Sequence, residues 1–292
     1  MDIKQNNSTL IVGGDSTIGG RLVAAFEDDC NPIWQTTRHH TKVNDKCLFL
    51  DLSDDMNCWH LKHESFKTSI FCAAITSHEQ CQLDSELSWH VNVKGTVALA
   101  TRMAEAGTFV IFISSNAVFN GESPFVRPND PVTPQTEYGR QKAEAEEQLL
   151  KLGDKVAIVR FSKVITPEMP LISRWIRDLK AGIVIHPFID MVIAPVPIAF
   201  AVAVLREVAV KQVSGIIQVS SNQDVTYAVL ARHITLKLGV NEELVKPISY
   251  KDVGLTYAAR NTTLDTSRLY ELGLLPPDIW TGVDDTFELD IS

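Results

Sequence analysis

The sequence predicts an α/β fold: a doubly wound parallel sheet followed by a smaller C-terminal α/β lobe. Three observations predict it. Short apolar runs alternate with helix-period segments as far as Phe161, a glycine-rich turn closes the first run, and the alternation loosens beyond Phe161. Parallel strands need crossover connections, so regular strand–helix alternation implies a parallel sheet with helices on both faces. The expected division is residues 1–161 for the sheet domain and 162–292 for the lobe, with chain segments able to cross between them.

Thr9–Val12 is an apolar run that ends in Gly13-Gly14, as a fully buried parallel strand does. Helical spacing follows through Ile18, Leu22, Val23 and Phe26. Pro32–Thr37, Cys47–Leu50, Thr68–Ala74 and Phe109–Ser114 read as the second to fifth strands. Between the last two, Glu86–Ala106 carries apolar residues at helical spacing, with Gly107 as its stop. A proline-rich loop, Ser123–Pro134, leads into a polar helix over Gln135–Lys151, and Val156–Phe161 is the sixth strand. Beyond it, helices are expected at Leu171–Lys180, Ile198–Val210 and Tyr227–Leu238, around short strands at Ile183–Ile185 and Gly215–Val219. The tail, with Pro276 and Pro277, reads as short helical pieces. This lobe would roof the C-terminal edge of the sheet, where open α/β sheets bind ligands.

A net charge of −9 argues against a nucleic-acid partner, whose affinity rests on Lys and Arg replacing counterions. It leaves room for a phosphorylated small molecule held by a few local cations. Cys30, Cys47, Cys58, Cys72 and Cys81 are odd in number and form no CxxC pair, so free thiols in a reducing compartment are expected and no metal site is. The polar opening, Met1–Ser8, lacks the regions of a signal peptide. Phe188–Leu205 is apolar but carries Asp190, Pro195 and Pro197, which suits a buried strand, a turn and a helix start better than a membrane span. The expectation is a cytoplasmic protein.

Gly13-Gly14-Asp15-Ser16-Thr17-Ile18-Gly19-Gly20 joins the first strand to the first helix. A pyrophosphate needs bare backbone N–H groups and the positive end of a helix, which fits a Rossmann-type dinucleotide loop; a glycine-rich turn with no ligand is the alternative. Gly13 would make the tight turn, Gly19 would let helix and sheet pack closely, and Ser16 stands where the usual middle glycine does. Ser16, Thr17 and Ile18 are candidate phosphate contacts. Where an NAD site places Asp or Glu at the end of the second strand, this chain has Thr36-Thr37-Arg38-His39-His40. Arg38 would meet a 2′-phosphate, so NADP(H) is preferred and NAD(H) is possible; a solvated surface role for Arg38 is the alternative. Asp51 and Leu52, after the third strand, suit an adenine contact, although Asp51 could equally cap the next helix. Ala73 and Ala74, closing the fourth strand, complete the expected cofactor site.

Tyr138-Gly139-Arg140-Gln141-Lys142 puts a phenol and an ammonium on one helix face. A nearby cation stabilises phenolate, so Lys142 is expected to draw the Tyr138 pKa down from ~10 toward neutrality, as suits a proton donor to a carbonyl. Ser114 and Ser115 close the fifth strand, where a hydroxyl could bond the substrate oxygen; a strand-end bond to backbone is the alternative.

These pieces resemble the extended short-chain dehydrogenase/reductase superfamily, and within it the dTDP-4-dehydrorhamnose reductase group. Ser114–Gly121 (SSNAVFNG) is similar to that group's STDYVFDG segment, Pro134–Glu146 (PQTEYGRQKAEAE) to its YGxTKxxGE helix, Ala259–Leu269 (ARNTTLDTSRL) to its RPxxSxLdtsKL stretch, and Val91–Gly95 to its NVxGT helix. The resemblance implies Tyr138 as the acid, Lys142 on the nicotinamide ribose, Ser115 orienting the carbonyl, and Arg260 on substrate phosphates. It also implies a homodimer through the helices at 86–106 and 135–151. Asn116 and Ala117 replace an Asp and a Tyr used around the sugar, and Asn261 replaces a Pro. Asn116-Ala117 also stands where sugar-nucleotide dehydratases place Asp-Glu, which counts against dehydration. Ser77, with His78, is a candidate for the cleft wall or for a turn. Arg174 and Arg177 could face a diphosphate or solvent.

The expected activity is NADPH-dependent reduction of a keto group on a nucleotide-linked sugar. Two readings stay open beside it: a sugar-nucleotide epimerase that retains NAD(P), and a non-catalytic dinucleotide-binding regulatory subunit.

Overall fold

The computed structural model describes residues 6–27, 32–59, 61, 66–255, 257–276 and 278–289. In chain order its elements are β1 (Asn6–Val12), α1 (Thr17–Glu27), β2 (Ile33–Thr37), β3 (Cys47–Phe49), β4 (Phe66–Phe71), α2 (His78–Leu83), α3 (Ser85–Trp89), a π-helical turn (His90–Gly95), α4 (Thr96–Glu105), β5 (Phe109–Ser115), α5 (Glu137–Leu149) and β6 (Val156–Phe161). There follow β7 (Val164–Ile165), α6 (Pro170–Lys180), β8 (Val192–Ile193), β9 (Val196–Pro197), α7 (Ile198–Lys211), β10 (Gly215–Val219), β11 (Val225–Thr226), α8 (Tyr227–Lys237) and α9 (Ile279–Phe287).

The central sheet has seven strands in the order β10-β6-β5-β4-β1-β2-β3. Pairs β1–β2, β1–β4, β2–β3 and β4–β5 are parallel, with Leu10 opposite Trp34 on one side and Ser69 on the other. The order reverses at β1, so a crevice opens beyond its C-terminal end, where the glycine loop lies. Leu10, Ile11 and Val12 are all wholly buried, which requires cover on both faces and explains why β1 reads as a continuous apolar run. One core gathers Leu10, Phe71 and Phe112 of the sheet against Leu99 of α4 and Leu149 of α5.

By its contacts the chain divides into two compact units, the first comprising Met1–Phe119, Pro131–Arg160 and Val202–Ile217, the second Asn120–Asp130, Phe161–Ala201 and Gln218–Ser292. The second unit has its own core, built from Ile172, Trp175 and Leu179 of α6, Leu230 and Ile234 of α8, and Val283 of α9.

Three elements depart from the sequence expectation. The run at Ile183–Ile185 forms no strand: Ile183 and Val184 are exposed, and only Ile185 makes a single bridge, to Val245. Gly215–Val219, expected among the elements of the lobe, is instead the edge strand of the central sheet, beside β6. The long helix at 86–106 is interrupted by the π turn and preceded by the extra helix α2. Cys47, Cys58, Cys72 and Cys81 are free thiols, and Cys30 lies outside the described residues, as does Pro277. No described helix is long and apolar enough to cross a membrane, and Phe188–Leu205 folds as β8, β9 and the start of α7.

Candidate functional site

The glycine loop is built by backbone geometry. Gly13 sits at φ +87°, and a Cβ there would stand 2.7 Å from the Cβ and backbone nitrogen of Ala73. A Cβ on Gly19 would meet the Gly13 carbonyl oxygen at 2.2 Å. The loop is tied to the end of β2, with Gly13 N–H donating to the Thr36 hydroxyl at 2.9 Å and Gly14 N–H to the Thr36 carbonyl at 3.0 Å. Ser16 replaces the middle glycine without strain, since it is not among the positive-φ residues. Its hydroxyl donates to the Gly13 carbonyl at 2.8 Å and accepts from Gly19 N–H at 3.1 Å, so it staples the loop. The helical ladder of α1 supplies no partner for the N–H groups of Thr17 and Ile18, which open its first turn.

Beside this loop lies a cavity of 290 Å³ lined by Gly13, Ser16, Arg38, Asp51, Leu52, Ala73 and Ala74 of the expected set. Thr17 and Ile18 are not among its lining residues. Bare backbone at Gly13 and an open cavity walled by Arg38 fit the pyrophosphate and adenosine parts of a dinucleotide. Ala73 and Ala74 lie past the end of β4 rather than within it; the N–H groups of Cys72 and Ala73 both donate to the Val12 carbonyl, at 2.8 and 2.9 Å. Asp51 caps its own turn, accepting from Ser53 N–H and hydroxyl at 2.9 and 2.7 Å, while also facing the cavity. His40 is stacked on Phe49 with centroids 3.9 Å apart, whereas His39 lines the cavity.

The second part of the site forms where β5 meets α5. Ser115 lies close enough to the Tyr138 hydroxyl to pull its pKa down, and its oxygen accepts from Ala117 N–H at 3.1 Å. That approach depends on Gly139: a Cβ there would stand 2.2 Å from the Ala117 carbonyl oxygen. Lys142 is 3% exposed; its ammonium donates to the Ile113 carbonyl at 2.8 Å and stands 4.4 Å from the Phe112 ring centre and 5.8 Å from that of Tyr138. Ser114 and Ser115 part company, because successive strand residues face opposite ways. The Ser114 hydroxyl is buried and has no hydrogen-bond partner among the described residues.

The electrostatics correct one expectation. Tyr138 is not drawn toward neutrality: burial, with the nearby Cys81 thiol, raises its pKa, and the nearby Ser115 hydroxyl only partly opposes this. Lys142 spends its ammonium on Ile113 and two ring faces instead of on the phenol oxygen. Burial lowers the Lys142 pKa to about 8, against the opposing pull of Glu146, Cys72 and Cys81.

Two structural features of the site escape sequence reading. Asn92, buried in the π turn, accepts from Ile75 N–H at 2.8 Å and donates to the Ile75 carbonyl at 2.9 Å and to Gln141 Oε1 at 2.8 Å. It thereby fixes the chain leaving β4 against the helix that carries Tyr138 and Lys142. Such π turns recur at functional sites because the extra residue re-aims a side chain inward. The other is Asp15, whose carboxylate faces the cavity and accepts from the Thr37 hydroxyl and from Lys42 Nζ.

The remaining candidates are placed as follows. Ser77 caps α2 by accepting from Gln80 N–H at 3.2 Å, and its neighbour His78 lies against the Tyr138 ring with centroids 5.3 Å apart. Asn116 Oδ1 accepts from the Ser115 hydroxyl at 3.4 Å. Arg260 belongs to the second unit, exposed, with its backbone N–H donating to the Gly121 carbonyl at 3.0 Å. Arg177 pairs with Asp178 on the surface.

Comparison with known proteins adds the following. The family model described as the RmlD substrate binding domain matches residues 7–287. The chain is 25% identical to methionine adenosyltransferase 2 subunit beta of Bos taurus, over 92% of this chain and 83% of that protein. It is 34% identical to a dTDP-4-dehydrorhamnose reductase of Aggregatibacter actinomycetemcomitans, over 34% of this chain and 35% of that one. In fold it matches the dTDP-4-dehydrorhamnose reductase of Bacillus anthracis, solved in complex with NADP, at a TM-score of 0.85 and 20% identity, covering 97% and 99% of the two chains.

Proposed function

The chain belongs to the RmlD substrate binding domain family, and from that premise we propose that it reduces a keto group on a nucleotide-linked sugar. NADP(H) is the preferred dinucleotide in this reading and NAD(H) the alternative. The observation that carries it is the convergence of Ser115, Tyr138 and Lys142 on one buried corner. Gly13, Ser16, Thr17, Ile18, Gly19, Arg38, Asp51, Leu52, Ala73 and Ala74 would hold the dinucleotide, and Arg260 is the candidate for the substrate's phosphates. Ser77 and Asn116 would border the sugar. The protein would work as a cytoplasmic homodimer.

A bound nicotinamide supplies the hydride. The chain supplies the proton and the alignment. Burial keeps the Tyr138 phenol protonated over the working pH range, so it is an acid and not a base at the start. Its O–H donates to the carbonyl oxygen as negative charge develops there, which yields the alcohol and leaves a phenolate in a poorly solvated corner. The Ser115 hydroxyl then donates to that phenolate, and the Lys142 ammonium, 5.8 Å from the ring centre, lowers its energy. Lys142 therefore acts on the product state of proton transfer more than on the resting phenol.

The purified protein should consume NADPH when given a 4-keto sugar nucleotide, and Tyr138→Phe should lower kcat/KM by ~100-fold or more while NADPH still binds. Wild-type rates from the phenylalanine variant would remove the mechanism.

One observation favours a second reading. The relative aligned over 92% of this chain is named as a subunit of another enzyme. On that reading the chain holds a dinucleotide and a partner protein without turnover. Absence of keto reduction across a panel of sugar nucleotides, with stoichiometric co-purification of an enzyme, would favour it over the first.

A further inference from the structure

We propose that Lys42 masks Asp15, and that this mask, rather than Arg38 alone, sets which dinucleotide the cavity selects. The inference rests on the reading of the glycine-loop cavity as a dinucleotide site. A strand-end carboxylate that binds the ribose hydroxyls marks an NAD site, and β2 ends without one. The fold supplies that group from elsewhere. Asp15, from the glycine loop, reaches the end of β2 and accepts from the hydroxyl of Thr37, its last residue. Its second oxygen accepts from Lys42 Nζ at 2.7 Å. Asp15, Thr37, Arg38 and His39 all line the one cavity.

Burial pushes the Asp15 carboxyl up, but the hydrogen bonds from Lys42 and Thr37 and the nearby charges of Lys42 and His39 outweigh it, and the group titrates below its ordinary range. The cavity therefore presents an ionised carboxylate beside a guanidinium that forms no ion pair among the described residues. These two groups prefer different ligands. A ribose diol donates well to a bare carboxylate, whereas a 2′-phosphate is drawn to Arg38 and repelled by Asp15. With Thr37 on one oxygen and the Lys42 ammonium on the other, the carboxylate keeps fewer acceptor sites for a diol and its charge is offset. The mask leaves Arg38 in control, and the phosphorylated cofactor wins.

Masking differs from direct phosphate binding by Lys42 in a way a double-mutant cycle detects. Kd values for NADPH and NADH are measured by nicotinamide fluorescence on the full chain and on Lys42→Met, Asp15→Asn and the double variant, with thermal melts as a check on folding. Lys42→Met should shift the NADPH:NADH preference at least ~10-fold toward NADH. Asp15→Asn should tighten NADPH several-fold, and in its presence Lys42→Met should change the preference less than ~2-fold. Equal effects of Lys42→Met with and without Asp15→Asn would overturn the mask, as would a single variant that leaves the preference unchanged. A wild-type chain that binds neither nucleotide would remove the dinucleotide reading and the mask together, a result distinct from either of those.

Discussion

At the rim of the cavity Lys42 meets Asp15 at 2.7 Å with side chains 56% and 30% exposed; beneath α5, Arg160 grips Glu146 at 2.6 Å with side chains 2% and 3% exposed. The two pairs have similar lengths and opposite consequences. Water screens the first, so it adds little to stability and remains free to be rearranged by a ligand. The second lost its water on folding and is held by several fork-like bonds from the guanidinium, with the Phe119 ring 5.0 Å from its carbon. It cannot be opened without leaving a bare charge in the core. One helical turn from Glu146, Lys142 is just as buried and, among the described residues, has no carboxylate in hydrogen-bond contact, only the Ile113 carbonyl and ring faces. The fold thus keeps adjustable charge at the cavity rim and fixed charge close to Tyr138.

The largest effect should come from breaking the fixed pair. Arg160→Met strands the Glu146 carboxylate, and urea denaturation should show a loss of about 3–5 kcal/mol. A loss below ~1 kcal/mol would mean that water reaches this corner and that the contrast between the two regions is false.

A second test uses pH. Lys142 titrates near pH 8 in the folded chain and near 10.5 when unfolded. Raising pH through about 8 removes the Lys142 ammonium, so on the proposed mechanism kcat/KM should fall there while Tyr138 stays protonated. Lys142→Arg should carry the alkaline limb beyond pH ~10, because a guanidinium does not deprotonate in that range. Stability has the opposite sign. Below about pH 8 both states hold the proton and the cost of burying it stands in full; between about 8 and 10.5 the unfolded chain binds more protons, so the Lys142 contribution grows more favourable as pH rises. The difference between wild type and Lys142→Met across that window isolates it, and a flat difference would place the ammonium in contact with solvent.

The smallest effect belongs to the rim. Lys42→Met should move the unfolding free energy by no more than ~1 kcal/mol, even where it shifts the proposed cofactor preference. A larger loss would make Lys42 part of the fold and not an adjustable cover.

How much of this was legible in the residues depends on sequence distance. β1, the glycine turn and α1 are adjacent in the chain, and burial on both faces of a parallel strand writes a continuous apolar run at Leu10–Val12. Tyr138 and Lys142 share one helix, so a spacing of four is enough to put them side by side. The pairs that tune the site are not local. Asp15 and Lys42 are 27 residues apart and Asn92 and Gln141 are 49 apart, and no periodicity connects them. Strands as short as β7 and β9, two residues each, carry no pattern at all.

By itself, then, the sequence determined the α/β alternation, the turn at Gly13 and the order of Ser115, Tyr138 and Lys142, because each follows from near-neighbour sterics and periodic burial. Tertiary structure alone decided that Gly215–Val219 joins the central sheet and that Tyr138 is raised rather than lowered. The reason is physical. The energy of a charge, and the partner of a polar group, depend on what surrounds them in space, and that is fixed only when distant segments have packed.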